Sequence, residues 1–236
     1  MTYWNGYFLH HYLTIKNTLT EVVRGDQQQA TNELYGLLLH TSSTQAGFEF
    51  AMRPWGERNF QDNLSPHGWF AAEYRTLLRQ MLVREDGDEL HLLSVVSPAW
   101  IGAGKTIVIA QAPTQFGTVA YTLTQPDATH ATLMLKTDFP NTAQIPAPRK
   151  LILHIPWFMR VTSAQADGKS IPVTDGALRL SPNTREVRIE WSAIPNAPGT
   201  TMSYDHAVEQ YKAEYARRYN AWMHGELTRA TTGDSQ

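Results

Sequence analysis

Eight side chains suited to acid–base work and polar recognition fall close together in this chain: Glu49, Arg53, Trp55, Glu57, Asp62, Asn63, His67 and Trp69. The stretch that carries them, HTSSTQAGFEFAMRPWGERNFQDNLSPHGW from His40 to Trp69, keeps no helical or strand period over most of its length. Connections in compact domains are usually about 4–6 residues long, so a loop of this size points to a binding or catalytic edge. Two carboxylates can share general acid and general base work. Flat indole faces match the apolar side of a pyranose ring, and guanidinium, amide and carboxylate groups take its hydroxyls.

Each of these residues also has a plainer structural role. Glu49 is the first candidate for a general base, lying between Phe48 and Phe50, whose burial would perturb its pKa. It can equally pair with Arg53, four residues later. Glu57 and Asp62 are alternative bases or hydroxyl ligands, or loop ion pairs with Arg53 and Arg58. Trp55, after Pro54, and Trp69, at a helix start, are candidate sugar platforms, although a Trp on a helix face is often core. Arg53, Asn63 and His67 complete the candidate substrate contacts. His67 sits at the start of a helix, where free N–H groups and the dipole favour oxygen ligands.

Other chemistries find little footing. Without Cys there is no disulfide, thiolate metal site or thiol nucleophile. His10 and His11 are adjacent and point to different helix faces, and with His40 they have no carboxylate at ligand spacing, so no metal is expected. Gly102-Ala103-Gly104-Lys105-Thr106 lacks the spacer of a phosphate loop and runs into a strand pattern instead of a helix. No Ser stands in a Gly-x-Ser-x-Gly context. No cofactor is expected. Net charge is -2 with a pI of about 6.5, which gives no basic field for nucleic acid or anionic lipid. No apolar run is long enough for a membrane span, and the N-terminal residues do not read as a signal peptide. Hydrophobic content of 42% and charged content of 18% belong to an ordinary folded chain.

The elements around the loop fall into three zones: residues 1–86 helical, 87–195 a β-sandwich, and 196–236 a C-terminal helix and tail. Tyr7, Phe8, His11, Tyr12, Ile15 and Leu19 keep the spacing of one helix face, and Gly25-Asp26 breaks it. Asp26 with Gln29 has the pattern of a capping box for a second helix through Ala30, Leu34, Leu37 and Leu38. Ser65 is expected to cap a third helix with Pro66 at its first position, and Phe70, Tyr74, Leu77, Leu78 and Met81 form its buried stripe. Strands are expected at 90–96, 106–110, 117–124, 131–137, 150–156, 159–166, 169–172, 177–180 and 186–192, with hairpin turns at Asp167-Gly168 and Asp175-Gly176. Short strands at this spacing predict an antiparallel sandwich and disfavour a parallel sheet. Ser203 caps a last helix from Tyr204 to about His224, whose Tyr-rich side is expected to pack back on the rest.

This layout resembles the C-terminal part of a bacterial (α/α)6-barrel glycoside hydrolase, nearest to the α-L-rhamnosidase-like type. The resemblance rests on Gly47-Phe48-Glu49 as the segment bearing the base, and on Asn63-Leu64-Ser65-Pro66-His67-Gly68 opening the next helix. Pro113-Thr114-Gln115-Phe116-Gly117 corresponds to a hairpin of the trailing sandwich. It spans residues 4–195 and implies an α+β chain: the last helices of a toroid, an antiparallel β-sandwich and a C-terminal helix. It also implies a carbohydrate ligand and hydrolysis of O-glycosidic bonds. The general acid would lie upstream in a barrel portion that this chain lacks, so Met1 would begin a truncated or split gene and the chain alone would be inactive. The alternative is a non-catalytic carbohydrate-binding or structural module. A toroid slice would leave one apolar face of the first two helices open, and a self-sufficient module would cover it.

Overall fold

The computed structural model describes residues 9–52 and 64–226, with only the backbone described at 51–52. It is an α+β chain of helices, two antiparallel-rich sheets and a C-terminal helix. Two compact units form: one of residues 1–21, 32–77 and 202–236, the other of residues 22–31 and 78–201. Three of the four divisions fall within helices. No helix among the described residues is long and apolar enough to cross a membrane.

The first unit contains strand β1 (Leu9–His10), most of helices α1 (His11–Arg24), α2 (Gln27–Leu39) and α3 (Gly68–Leu82), strand β2 (Ala51–Met52), and α4 (Tyr204–Met223). Ile15 on α1, Leu34 and Leu37 on α2, and Leu77 on α3 are fully buried, as their spacing requires. Glu33 adds a buried polar pin between α1 and α2, accepting hydrogen bonds from Asn17 Nδ2 (2.8 Å) and Thr18 Oγ1 (2.7 Å). The open apolar face expected of a toroid slice is absent among the described residues of α1 and α2, where Val23 is the one large exposed hydrophobic residue. Exposed aromatic surface lies instead on α4. Ser203 caps it as expected, its Oγ accepting from the His206 N–H. Tyr204, Tyr215, Tyr219 and Trp222 are exposed, and no α4 residue is buried. Tyr211 does reach inward, edge-on to His40.

In the second unit a six-stranded sheet has the order β10-β9-β13-β7-β6-β5, and a five-stranded sheet the order β11-β12-β8-β4-β3. The strands are β3 (Val83–Asp86), β4 (Glu89–Leu92), β5 (Lys105–Thr114), β6 (Gly117–Gln125), β7 (His130–Asp138), β8 (Lys150–His154), β9 (Met159–Ala166), β10 (Lys169–Ser170), β11 (Val173–Thr174), β12 (Ala177–Leu180) and β13 (Glu186–Ala193). Alternate residues of both sheets (Leu90, Leu92, Val119, Leu133, Leu151, Leu153, Leu178 and Val187) enter one shared core. Asp167-Gly168 and Asp175-Gly176 make their turns with positive φ at both residues, the geometry a tight hairpin demands.

Three features of the sandwich depart from expectation. The strand expected over 90–96 stops at Leu92, because Leu93 takes φ 54° and turns the chain toward α3. There the Leu93 and Val95 N–H groups donate to the Leu82 and Met81 carbonyls. β3, read as the end of the helical zone, pairs with β4 across the Gly87-Asp88 turn. The sheets are not wholly antiparallel either: β4 and β8 pair in parallel, Leu90 beside Leu151. Both strands are central to their sheet and carry buried leucines, so pairing is set by the core and not by a local turn.

The Pro113–Gly117 segment is a hairpin turn between β5 and β6, as expected. Gly117 (φ 120°) is required there. A Cβ at this position would lie 2.2 Å from the Asp138 carbonyl oxygen, so only glycine lets the hairpin close against the end of β7.

Candidate functional site

Residues 46–50 form a segment clasped on both sides, all within the first unit. On one side β2 pairs with β1 (Leu9 with Met52, His10 with Ala51). The Phe48 N–H donates to His11 Nδ1 at 3.1 Å. On the other, the Glu49 N–H donates to the Leu64 carbonyl (3.0 Å) and the His67 N–H to the Gly47 carbonyl (3.1 Å). The residues leading into α3 are thereby tied to the segment that carries Glu49.

His11 is the anchor. Fully buried, it takes the Phe48 N–H at Nδ1 and places Nε2 2.9 Å from the Leu37 carbonyl. Those two partners fix a neutral ring with its proton on Nε2. Its ring stacks on Phe70 at 4.3 Å and leans on Phe48 at 5.9 Å. Burial, then the nearby His40 and His10 charges, hold its pKa down to about 4 despite the opposing bond to Leu37. Gly47 completes the packing: a Cβ there would sit 2.0 Å from ring carbons of Phe70. The glycine before Phe48-Glu49 is thus needed so that backbone can lie directly on an aromatic ring.

The helix begins later than expected. Ser65-Pro66 is a cis peptide, and α3 starts at Gly68, so Ser65 is not its cap. The amide that needs a partner belongs to Phe70, and it donates to His67 Nδ1 at 3.4 Å, while the Ala71 N–H reaches the His67 carbonyl. His67 therefore fills the N-cap place. An imidazole accepting at Nδ1 carries its proton on Nε2, where it can donate to a hydroxyl oxygen.

His67 also belongs to an aromatic trio, with Tyr12 at 5.4 Å and Trp69 at 5.9 Å; Tyr12 and Trp69 are 6.0 Å apart. Trp69 is not core: it is 66% exposed, with Leu64 at 63% and Phe50 at 40%. An indole left that open forgoes roughly 2 kcal/mol of burial. Glu49 is half-buried on the segment whose backbone is tied to Leu64 and His67. The structure thus brings His67 and Trp69 into contact, and backbone hydrogen bonds tie the segment bearing Glu49 to Leu64 and His67. Arg53, Trp55, Glu57, Asp62 and Asn63 lie outside the described residues. No group of His, Asp or Glu among the described residues can hold a metal ion.

One cluster was not foreseen. On the five-stranded sheet His91 Nδ1 lies 3.0 Å from Arg84 Nη2 and 2.8 Å from His154 Nε2. A guanidinium can only donate, so His91 Nδ1 accepts and the His154 Nε2–H must donate to it as well. The two imidazoles stack at 5.1 Å. Burial, followed by His91 and Arg84, lowers the His154 pKa to about 4, and burial with Arg84 lowers that of His91. Nothing in the sequence places residue 91 beside 154, because their contact depends on the parallel β4–β8 pairing.

No protein-family model matches the sequence, and no curated protein does. A solved structure described as a glycoside hydrolase overlays 76% of this chain and 32% of its own, with 10% sequence identity and a TM-score of 0.39. This chain spans about a third of that structure's length, and activity has to be read from the residues.

Proposed function

We propose that the rim formed by Tyr12, Glu49, His67 and Trp69 binds a saccharide, as part of a carbohydrate-active glycoside hydrolase that cleaves O-glycosidic bonds. The observation that carries this reading is the exposed Trp69 indole, held by Tyr12 and His67 beside the segment bearing Glu49. In this reading Trp69 stacks on a pyranose face, the His67 Nε2–H and Glu49 take hydroxyls, and the loop residues Arg53, Trp55 and Asn63 extend the contact. Hydrolysis needs a second carboxyl group, about 5–5.5 Å away for retention or about 6.5–9.5 Å for inversion. Glu49 serves as base and the acid comes from the remaining barrel portion, with Glu57 and Asp62 as alternative bases. The chain alone would then bind sugar without cleaving it.

A second reading, a non-catalytic carbohydrate-binding module, draws support from the covered apolar faces of α1 and α2, which call for no missing neighbour. Both readings place the sugar on the same rim. Calorimetric titration of the chain with a panel of neutral oligosaccharides is expected to find a ligand whose affinity falls at least tenfold (about 1.4 kcal/mol) in Trp69→Ala, with the circular dichroism spectrum unchanged. Equal affinity in the variant, or no ligand in the panel, rejects the rim. Release of reducing sugar by the purified chain would separately reject dependence on an absent acid.

A further inference from the structure

We propose that the six-stranded sheet carries a second ligand site, a two-lobed groove that takes a carboxylate-bearing saccharide. It lies wholly within the sandwich and does not rest on the rim reading. One lobe, of about 390 Å3, is lined by Leu135, Lys136, Thr137, Asn183 and Arg185. The other, of about 260 Å3, is lined by Gln111, Ala120, Lys136 and Asp138 among others. Lys136 stands in both, so the lobes adjoin. The larger volume falls within the range of about 300–1,000 Å3 typical of small-molecule sites.

Three observations point to an anionic polyol. First, the side chains of Gln111, Lys136, Asn183 and Arg185 make no hydrogen bond or ion pair among the described residues. Among the other charged groups of this sheet, Arg188 pairs with Glu186 and His130 with Asp127, while Arg160 and Lys169 make no ion pair among the described residues. Second, the larger lobe holds two cations and no acid. The Leu135 N–H bonds the Arg185 carbonyl at 2.8 Å and so sets Arg185 beside the strand that bears Lys136. Third, β5 carries a bulge at the smaller lobe: Ile109 pairs with Tyr121 and Ala112 with Val119, so Ala110 and Gln111 together oppose Ala120. Bulges re-aim a side chain where a strand serves a site.

The chemistry divides between the lobes. Lys136 and Arg185 neutralise a carboxylate, with Arg185 able to grip both oxygens. The Asn183 and Gln111 amides and the Asp138 carboxylate, donors and acceptors that match ring hydroxyls, hold the rest of the sugar. A uronic acid residue within a glycan chain carries both parts, a carboxylate and ring hydroxyls.

The test compares a uronic-acid oligosaccharide with its carboxyl-reduced, neutral counterpart in titrations of the chain. The acidic sugar is expected to bind at least fivefold more tightly, and its affinity to fall as salt is raised. Lys136→Ala and Arg185→Ala should each weaken it at least fivefold. Arg188→Ala, an exposed arginine of the same sheet, and Trp69→Ala should leave it unchanged. Since Trp69→Ala affects only the rim, failure of one site is read separately from failure of the other. Equal binding of the neutral sugar, wild-type affinity in the Lys136→Ala/Arg185→Ala double variant, or no binding at millimolar sugar overturns the proposal.

Discussion

Replacing Gly47 with alanine is expected to destabilise the helical unit by about 3 kcal/mol, the upper part of the range for overpacking a filled core. The new methyl would lie 2.0 Å from Phe70 Cγ, near the base of the ring, where rotation about the side chain gives little relief. Phe70 has no room to retreat, being buried and stacked on His11 at 4.3 Å and on Tyr74 at 5.9 Å. The backbone of residues 46–50 must move instead, straining the Phe48 N–H bond to His11 and the His67 N–H bond to Gly47. Urea unfolding followed by circular dichroism reads the loss directly. Trimming the ring in a Gly47→Ala/Phe70→Leu double variant should recover part of it, giving a favourable coupling energy in the double-mutant cycle. A loss below about 0.5 kcal/mol, a typical surface effect, would show that Gly47 is not held against Phe70.

Acidification is expected to weaken both units in the same pH window. An imidazole in the unfolded chain titrates near 6.5, whereas folded His11 and His154 do so at about 4. Above 6.5 both states are neutral and the folded state keeps its full stability. As pH falls from 6.5 toward 4 the unfolded chain takes protons that the folded chain refuses, so stability declines throughout that interval and levels off below it. For the fully buried His11 the loss is on the order of 3 kcal/mol. His154 adds a loss of the same sign, because its burial, then the neighbouring His91 and Arg84, disfavour a proton on its ring. Urea midpoints at pH 7 and pH 4.5, with ring resonances followed across the range, measure it. A His11 resonance titrating near 6.5 would contradict the buried, doubly hydrogen-bonded ring.

Much of the sandwich was legible because its signals are local. Met159–Ala166 runs up to the Asp167-Gly168 turn, Ala177–Leu180 follows Asp175-Gly176, and both fall at the expected residues. β3 went unread, since Val83-Arg84-Glu85-Asp86 follows α3 with no glycine or proline between them. The clue was the Gly87-Asp88 dipeptide, a two-residue hairpin turn. The parallel β4–β8 pair has no local signature, and the Arg84–His91–His154 cluster follows from it. Nor does the long loop declare its own clasp: that Glu49 and Leu64 share a hydrogen bond is a product of folding, not of spacing. Trp69 and Phe70 are adjacent in sequence, yet one is exposed and the other buried. Helical period explains their divergence: Phe70 continues the stripe of Leu77 and Met81 and is buried, which leaves Trp69 to the open side.

The account turns on Trp69 being a sugar platform. Its most direct test is the two-dimensional amide and indole spectrum of the chain, recorded while the best neutral oligosaccharide is added. The account predicts progressive shifts confined to the Trp69 indole N–H, the His67 ring and the amides around Glu49, with saturation at the calorimetric Kd. Saturating shifts elsewhere, with the Trp69 indole unmoved, would contradict it.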